Sequence, residues 1–155
     1  MLEKKDLEKL VIQNKKSSLK NHWNDSFSIN RTKYSGEIRK DEILLWSSSF
    51  FLRGAYPIYH LIFNENQHFT KLKIKKNPYH TLINKIFILL IITILILLII
   101  TSGLKNGFIG GLGVLFVLIL LNLILKRVRK YETRILTEEL KSKIHQIENK
   151  KMADE

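Results

Sequence analysis

Residues 86–125 read IFILLIITILILLIITSGLKNGFIGGLGVLFVLILLNLIL. Two apolar runs, 86–102 and 108–125, flank a short polar break, Gly103-Leu104-Lys105-Asn106-Gly107. A bilayer core about 30 Å thick takes roughly 17–25 residues of apolar helix. Each run reaches the short end of that range, and flanking residues extend it. Only Thr93, Thr101 and Ser102 interrupt the first run, and Asn122 the second. Threonine and serine hydroxyls bond to a carbonyl one turn back, so they cost little in lipid. Neither run alternates with polar residues at period 3.6, so neither has a wet face. The rest of the chain is too small and too polar to bury two such helices. The stretch predicts a transmembrane helical hairpin. A single re-entrant apolar segment would instead leave Lys105 in lipid. Gly103, Asn106 and Gly107 tolerate the positive φ of a tight turn.

Charge orients the hairpin. Lys71, Lys73, Lys75, Lys76 and Lys85 precede the first run, and Lys126, Arg127, Arg129, Lys130 and Arg134 follow the second. The turn carries only Lys105. By the positive-inside rule both ends are cytoplasmic, and a bacterial cytoplasmic membrane is the expected location. Gly107 and Gly111 are small residues four apart, which lets helix backbones approach closely. Their packing partner is either the first span of the same chain or a second copy.

The whole chain has 155 residues, a net charge of +12 and no cysteine. It therefore has no disulfide framework and no thiolate metal site. Residues 1–85 carry 16 basic and 8 acidic side chains, and residues 126–155 carry 9 and 6. Nucleic acid attracts such charge, but anionic phospholipid is the nearer partner for a tethered chain, and nucleic acid is not expected. The opening residues MLEKKDLEKL are charged and lack the apolar core of a cleaved signal peptide. The first span is expected to serve as an uncleaved signal.

The expected fold is an α+β membrane protein in four parts. Residues 1–24 form a short helix and a linker, and residues 25–77 a small antiparallel cytoplasmic β domain. Residues 78–125 form the hairpin, and residues 126–155 an amphipathic helix continuing from the second span. Leu2, Leu7, Leu10 and Val11 share one side of a helix over 2–14. That side docks on the following domain or lies in the membrane interface, and docking is favoured. Residues 14–24 read as a linker, with Trp23 marking the start of the core. Ser26–Tyr34 alternates as a strand, and Ser35-Gly36 reads as a turn. Strands follow near 37–39, 43–49, 56–63 and 68–75, with turns at Lys40-Asp41 and Asn64–Gln67. Asn77-Pro78 is a helix start, with Asn as cap and Pro in the first turn.

The pattern Tyr34-Ser35-Gly36-Glu37-Ile38, an apolar strand, then Arg53-Gly54-Ala55-Tyr56-Pro57-Ile58 resembles small bacterial membrane proteins with a pleckstrin-homology-like β domain. The likeness covers roughly residues 27–76. His60 stands where that pattern has glycine, and the hairpin here follows the β domain, whereas many relatives place it first. The resemblance implies a fold and a topology, and carries over no catalytic residue.

No Gly or Pro occurs after Gly113, so helix is expected to run from the second span to about Asn149. Leu136, Leu140, Ile144 and Ile147 form one stripe, with Val128 and Ile135 off it. The stripe packs on the chain's own β domain or on another subunit. His22, His60, His68, His80 and His145 show no i, i+4 pair. His60 and His68 approach only across the Asn64–Gln67 hairpin, with Glu65 the single carboxylate near. No phosphate loop or nucleophile elbow appears. The sequence thus predicts no catalytic residue, metal or cofactor. It predicts a tethered interaction, scaffold or regulatory module. Its partners are the bilayer and a protein, which is a second copy or another chain, engaged through the β domain or the C-terminal helix. Two alternatives are a sensor of anionic phospholipid and a membrane enzyme with an unrecognised site. Lys71, Lys73, Lys75, Lys76, Lys126, Arg127, Arg129 and Lys130 are the candidate headgroup contacts, and Gly107 and Gly111 the candidate packing residues.

Overall fold

The computed structural model describes residues 2–27, 34–48, 52 and 55–154. Its strands are β1 (Gln13–Asn14), β2 (Ser35–Ile38), β3 (Glu42–Trp46), β4 (Pro57–Phe63) and β5 (Phe69–Lys76). They form one sheet in the order β1-β2-β3-β4-β5. From β2 to β5 it is an antiparallel meander. The β2–β3 turn closes through Arg39 N–H to the Glu42 carbonyl at 2.9 Å. The β4–β5 turn is the Asn64–Gln67 hairpin, with Gln67 at φ 61.

The sheet is mixed, where the sequence predicted an antiparallel one. β1 lies parallel to β2, pairing Gln13 with Ser35 and Asn14 with Gly36. Gly36 is accordingly in a strand and not in the turn assigned to Ser35-Gly36. A Cβ there would lie 2.5 Å from the Leu44 carbonyl oxygen and 3.1 Å from Val11 Cγ2. The glycine serves close approach of the N-terminal segment, not chain reversal.

Two helices precede the meander. α1 (Lys4–Glu8) is shorter than the helix expected over 2–14, because the chain leaves it to pair with β2. Leu2, Leu7 and Leu10 are buried, so this apolar side docks on the domain. α2 (Leu19–Ser26) occupies the stretch read as linker. Ser18 caps it, accepting from the Asn21 N–H at 3.4 Å. Ser26 therefore ends a helix, and the strand predicted over 26–34 falls mostly on residues 28–33, outside those described. Arg53 and Gly54, quoted for the family resemblance, also lie outside. Trp23 is exposed against Phe27, and its neighbour His22 faces inward.

The long helical run α3 (Pro78–Asp154) contains one non-helical residue, Gly103, at φ 75 and ψ 161. Asn77 Oδ1 accepts the Tyr79 N–H at 3.0 Å, and Pro78 occupies the first position. At Gly103 the chain reverses. Helix resumes at once, so residues 104–107 of the predicted polar break are helical. Gly111 of the returning arm sits on Leu95 of the outgoing arm, each eight residues from the bend. The returning arm then reaches the sheet. Leu136, Leu140 and Ile144 join Ile43, Leu45, Tyr59 and Leu61 in one buried cluster. Tyr59 Oη meets Thr137 Oγ1 at 3.1 Å, and Lys151 Nζ reaches Glu3 at 3.0 Å and Asp6 at 3.2 Å. The C-terminal stripe thus packs on its own chain.

Gly36→Ala forces a methyl group onto a backbone oxygen and is expected to destabilise the fold by about 1–3 kcal/mol. Leu140→Ala is expected to cost about 2–5 kcal/mol. Denaturant titration of the full chain in detergent, followed by near-UV circular dichroism, measures both.

Candidate membrane-surface interface

The buried face of α2 is polar. His22 is fully buried, with Nε2 2.8 Å from Ser17 Oγ and Nδ1 2.7 Å from Tyr56 Oη. Its ring packs among Trp46, Tyr56 and Tyr79 at centroid distances of 4.7, 5.7 and 5.1 Å. Asp25 accepts from the Trp46 indole at 2.9 Å and pairs with Lys15 at 3.0 Å. Tyr79 belongs to the outgoing arm, so this cluster sets how that arm leaves the sheet. Burial lowers the His22 pKa to about 4. An imidazole that weak is a poor base for Ser17 at neutral pH, and burial also raises the Tyr56 phenol out of reach. The cluster organises structure and is ill suited to proton transfer.

Beside it lies a cleft of about 330 Å³. Ser17, Arg39, His60, Lys75, Lys76 and Tyr79 supply its polar lining. Arg39 is held by Glu37 at 3.0 Å and by Glu42 at 2.8 Å. His60 Nδ1 is 2.7 Å from Glu42. Its register partner is Lys73, and His68 forms an isolated bridge with Glu3, so the hairpin does not bring the two histidines together. Among the described residues no group of three His, Cys, Asp or Glu side chains is placed to hold a metal. The cleft's uncommitted charge is Lys75 and Lys76.

Cations divide by position. Lys15, Arg39, Lys143 and Lys151, packed about the sheet, pair with carboxylates. Lys71, Lys73, Lys75 and Lys76 are exposed on β5, an edge strand, and among the described residues none has an ion-pair partner. Lysine on an edge deters strand addition. Lys126, Arg127 and Lys130 are exposed on the returning arm, with no carboxylate partner among the described residues, and Arg129 beside them is half-buried. Gly111 is buried, while Gly107 lies outside the described side chains.

Between these charges the arms are bare. Two helices, Pro78–Thr101 and Gly110–Ala153, are long and apolar enough to cross a membrane, with mean hydropathy 3.0 and 2.1 in their most apolar windows and 0% of each window buried. Leu89, Ile100 and Phe116 are 65%, 72% and 63% exposed. Thr93 and Thr101 donate to the carbonyls of Leu89 and Leu97 at 3.0 and 2.9 Å, which removes their hydroxyls from the arm surface. Such a surface far exceeds the apolar patch a soluble monomer exposes.

No protein-family model matches the chain, and no curated protein or solved structure matches it. The geometry stands alone.

His22 sets an acid limit on stability. Its pKa is about 4 when folded, against an ordinary 6.5 in the unfolded chain. Between those values the unfolded chain holds the extra proton. Stability is whole above about pH 6.5 and drains as pH falls toward 4. The loss is expected to be on the order of 2–3 kcal/mol across that window. Thermal unfolding in detergent from pH 7 to 4.5 measures it, and His22→Gln should flatten the slope.

Proposed function

We propose that the chain is an integral membrane protein of the bacterial cytoplasmic membrane, with both termini cytoplasmic. Its α+β module is a non-catalytic regulatory or scaffold unit that engages anionic phospholipid at the membrane surface. One observation carries this reading. Among the described residues Lys71, Lys73, Lys75, Lys76, Lys126, Arg127 and Lys130, the cations nearest the bare apolar arms, form no ion pair, whereas Lys15, Arg39, Lys143, Lys151 and, farther along the returning arm, Arg134 do. Unpaired lysines beside a bilayer gain about 1 kcal/mol each from anionic lipid. The gain is graded along β5. Lys71 stands about 17 Å from Lys76 along the strand, roughly two Debye lengths at physiological salt. The whole row senses one surface only if the strand lies flat on it. Kinship with pleckstrin-homology-like membrane proteins belongs to the same proposal and rests on the residues that carry the resemblance.

A second reading is a protein partner on the open face of the sheet. The cleft beside Ser17, His60 and Tyr79 favours it, since it offers both a recess and hydrogen-bonding groups.

The test uses the full chain, because Leu136, Leu140 and Ile144 complete the core. Alkaline carbonate should leave the protein in the membrane, and reporters on either end should be cytoplasmic. In nanodiscs, amide hydrogen exchange across residues 69–76 should slow in anionic lipid relative to zwitterionic lipid. High salt, or joint Lys71→Gln, Lys73→Gln and Lys75→Gln substitution, should remove the difference. Exchange indifferent to lipid charge would leave the partner-protein reading.

A further inference from the structure

Where the two arms meet the sheet, basic side chains from different segments converge. His80 lies two residues past the start of the outgoing arm, and Arg129 lies on the returning arm. Arg129 Nε and His80 Nε2 are both buried and have no hydrogen-bond partner within the protein. The Asn84 amide nitrogen is 3.5 Å from His80 Nδ1, and donation there leaves the ring proton on Nε2. The charged groups acting on His80 are Arg129 and Lys76, and among the described residues no carboxylate acts on either His80 or Arg129. Burial, and for His80 these two cations after it, pushes both groups toward their neutral forms.

Buried donors without acceptors, crowded with like charge, are unfavourable unless something outside the chain answers them. What answers two N–H donors and the positive charges of Arg129 and Lys76 is a compact oxyanion. A guanidinium fork matches phosphate in particular. Depth narrows the source. Arg129 is about 6 Å along the helix beyond Leu125, and His80 about 9 Å before Ile86. The polar layer of one leaflet is about 5–8 Å deep. Arg129 thus falls within that layer, which holds the phosphodiesters, and His80 at its outer rim.

We propose that Arg129, His80 and Lys76 form a discrete site for the phosphodiester of one phospholipid that bears no cationic headgroup, such as phosphatidylglycerol. With no carboxylate there to receive an ammonium, choline and ethanolamine headgroups meet only positive charge. The site rests on the membrane reading above, yet differs from the diffuse contact of the β5 lysines. It fixes one lipid between the arms.

Native mass spectrometry of the full chain from detergent tests this, with phosphatidylglycerol and phosphatidylcholine added in equal amounts. One phosphatidylglycerol should be retained about tenfold over phosphatidylcholine. Arg129→Gln should abolish the preference. Arg129→Lys, which keeps the charge and loses the fork, should reduce it, and unchanged near-UV circular dichroism should show both variants folded. The triple Lys71, Lys73 and Lys75→Gln variant should retain the bound lipid. Equal retention of the two lipids, or an undiminished preference in both Arg129 variants, overturns the site. Displacement of the lipid by millimolar inorganic phosphate also overturns it, in favour of a free-phosphate site. If alkaline carbonate strips the chain from membranes, the membrane reading has failed. If the chain stays but shows no preference, only the site has failed.

Discussion

Both ends of the longest helical run are seated on the same sheet, and most of the architecture follows from that. Asn77 and Pro78 fix where the outgoing arm begins, one residue after β5. Leu136, Leu140 and Ile144 fix where the returning arm lands, inside the core of the same sheet. A helix cannot satisfy both unless it doubles back. Gly103, with its positive φ, does so within a single residue. The pairing of Gly111 with Leu95, equidistant from that bend, is what such closure requires. Sheet and arms are therefore one mechanical unit, joined by two helical struts and no slack linker.

The same constraint explains the sorting of polar groups. Where α2, the sheet and the outgoing arm converge, His22 is bonded to Ser17 and Tyr56, and Asp25 to Trp46 and Lys15. A closed polar network of that kind defines one arrangement, because any shift leaves a buried group unpaired. Near the apolar arms the pattern inverts. There, among the described residues, Lys71, Lys73, Lys75, Lys76, Lys126, Arg127 and Lys130 are exposed with no ion pair, and Arg129 acts on His80 as a like charge. Around His22 the polar groups are paired, while at the junction Arg129 Nε and His80 Nε2 are not.

Features with a strong period or unusual composition were legible in the sequence. The arms declared themselves by unbroken apolarity, β4 and β5 by alternation around a turn-rich tetrad, the helix start by Asn77-Pro78, and the C-terminal stripe by its spacing. What escaped had no such signature. β1 is a two-residue parallel pairing, too short for any pattern. α2 buries His22, Asp25 and Ser26, so hydropathy pointed instead to Trp23, which faces out. Gly36 looked like a turn because glycine serves crowding and reversal alike. The flanking cations were found by their position beside apolar runs. His80 was not, because a single histidine early in a helix means little until the chain returns Arg129 to its side.

The order in which the chain is made gives the tail a further meaning. The strands leave the ribosome first, yet the side chains that close their core come from residues 136–144. Between Lys76 and Leu136 the ribosome must add roughly 60 residues, about 3–12 s of translation at 5–20 residues per second. Through that interval the sheet waits with its greasy side uncovered while both arms emerge. The module can finish only after the arms have turned round and delivered its lid. Completion of the sheet's core is thereby tied to the reversal of the arms at Gly103.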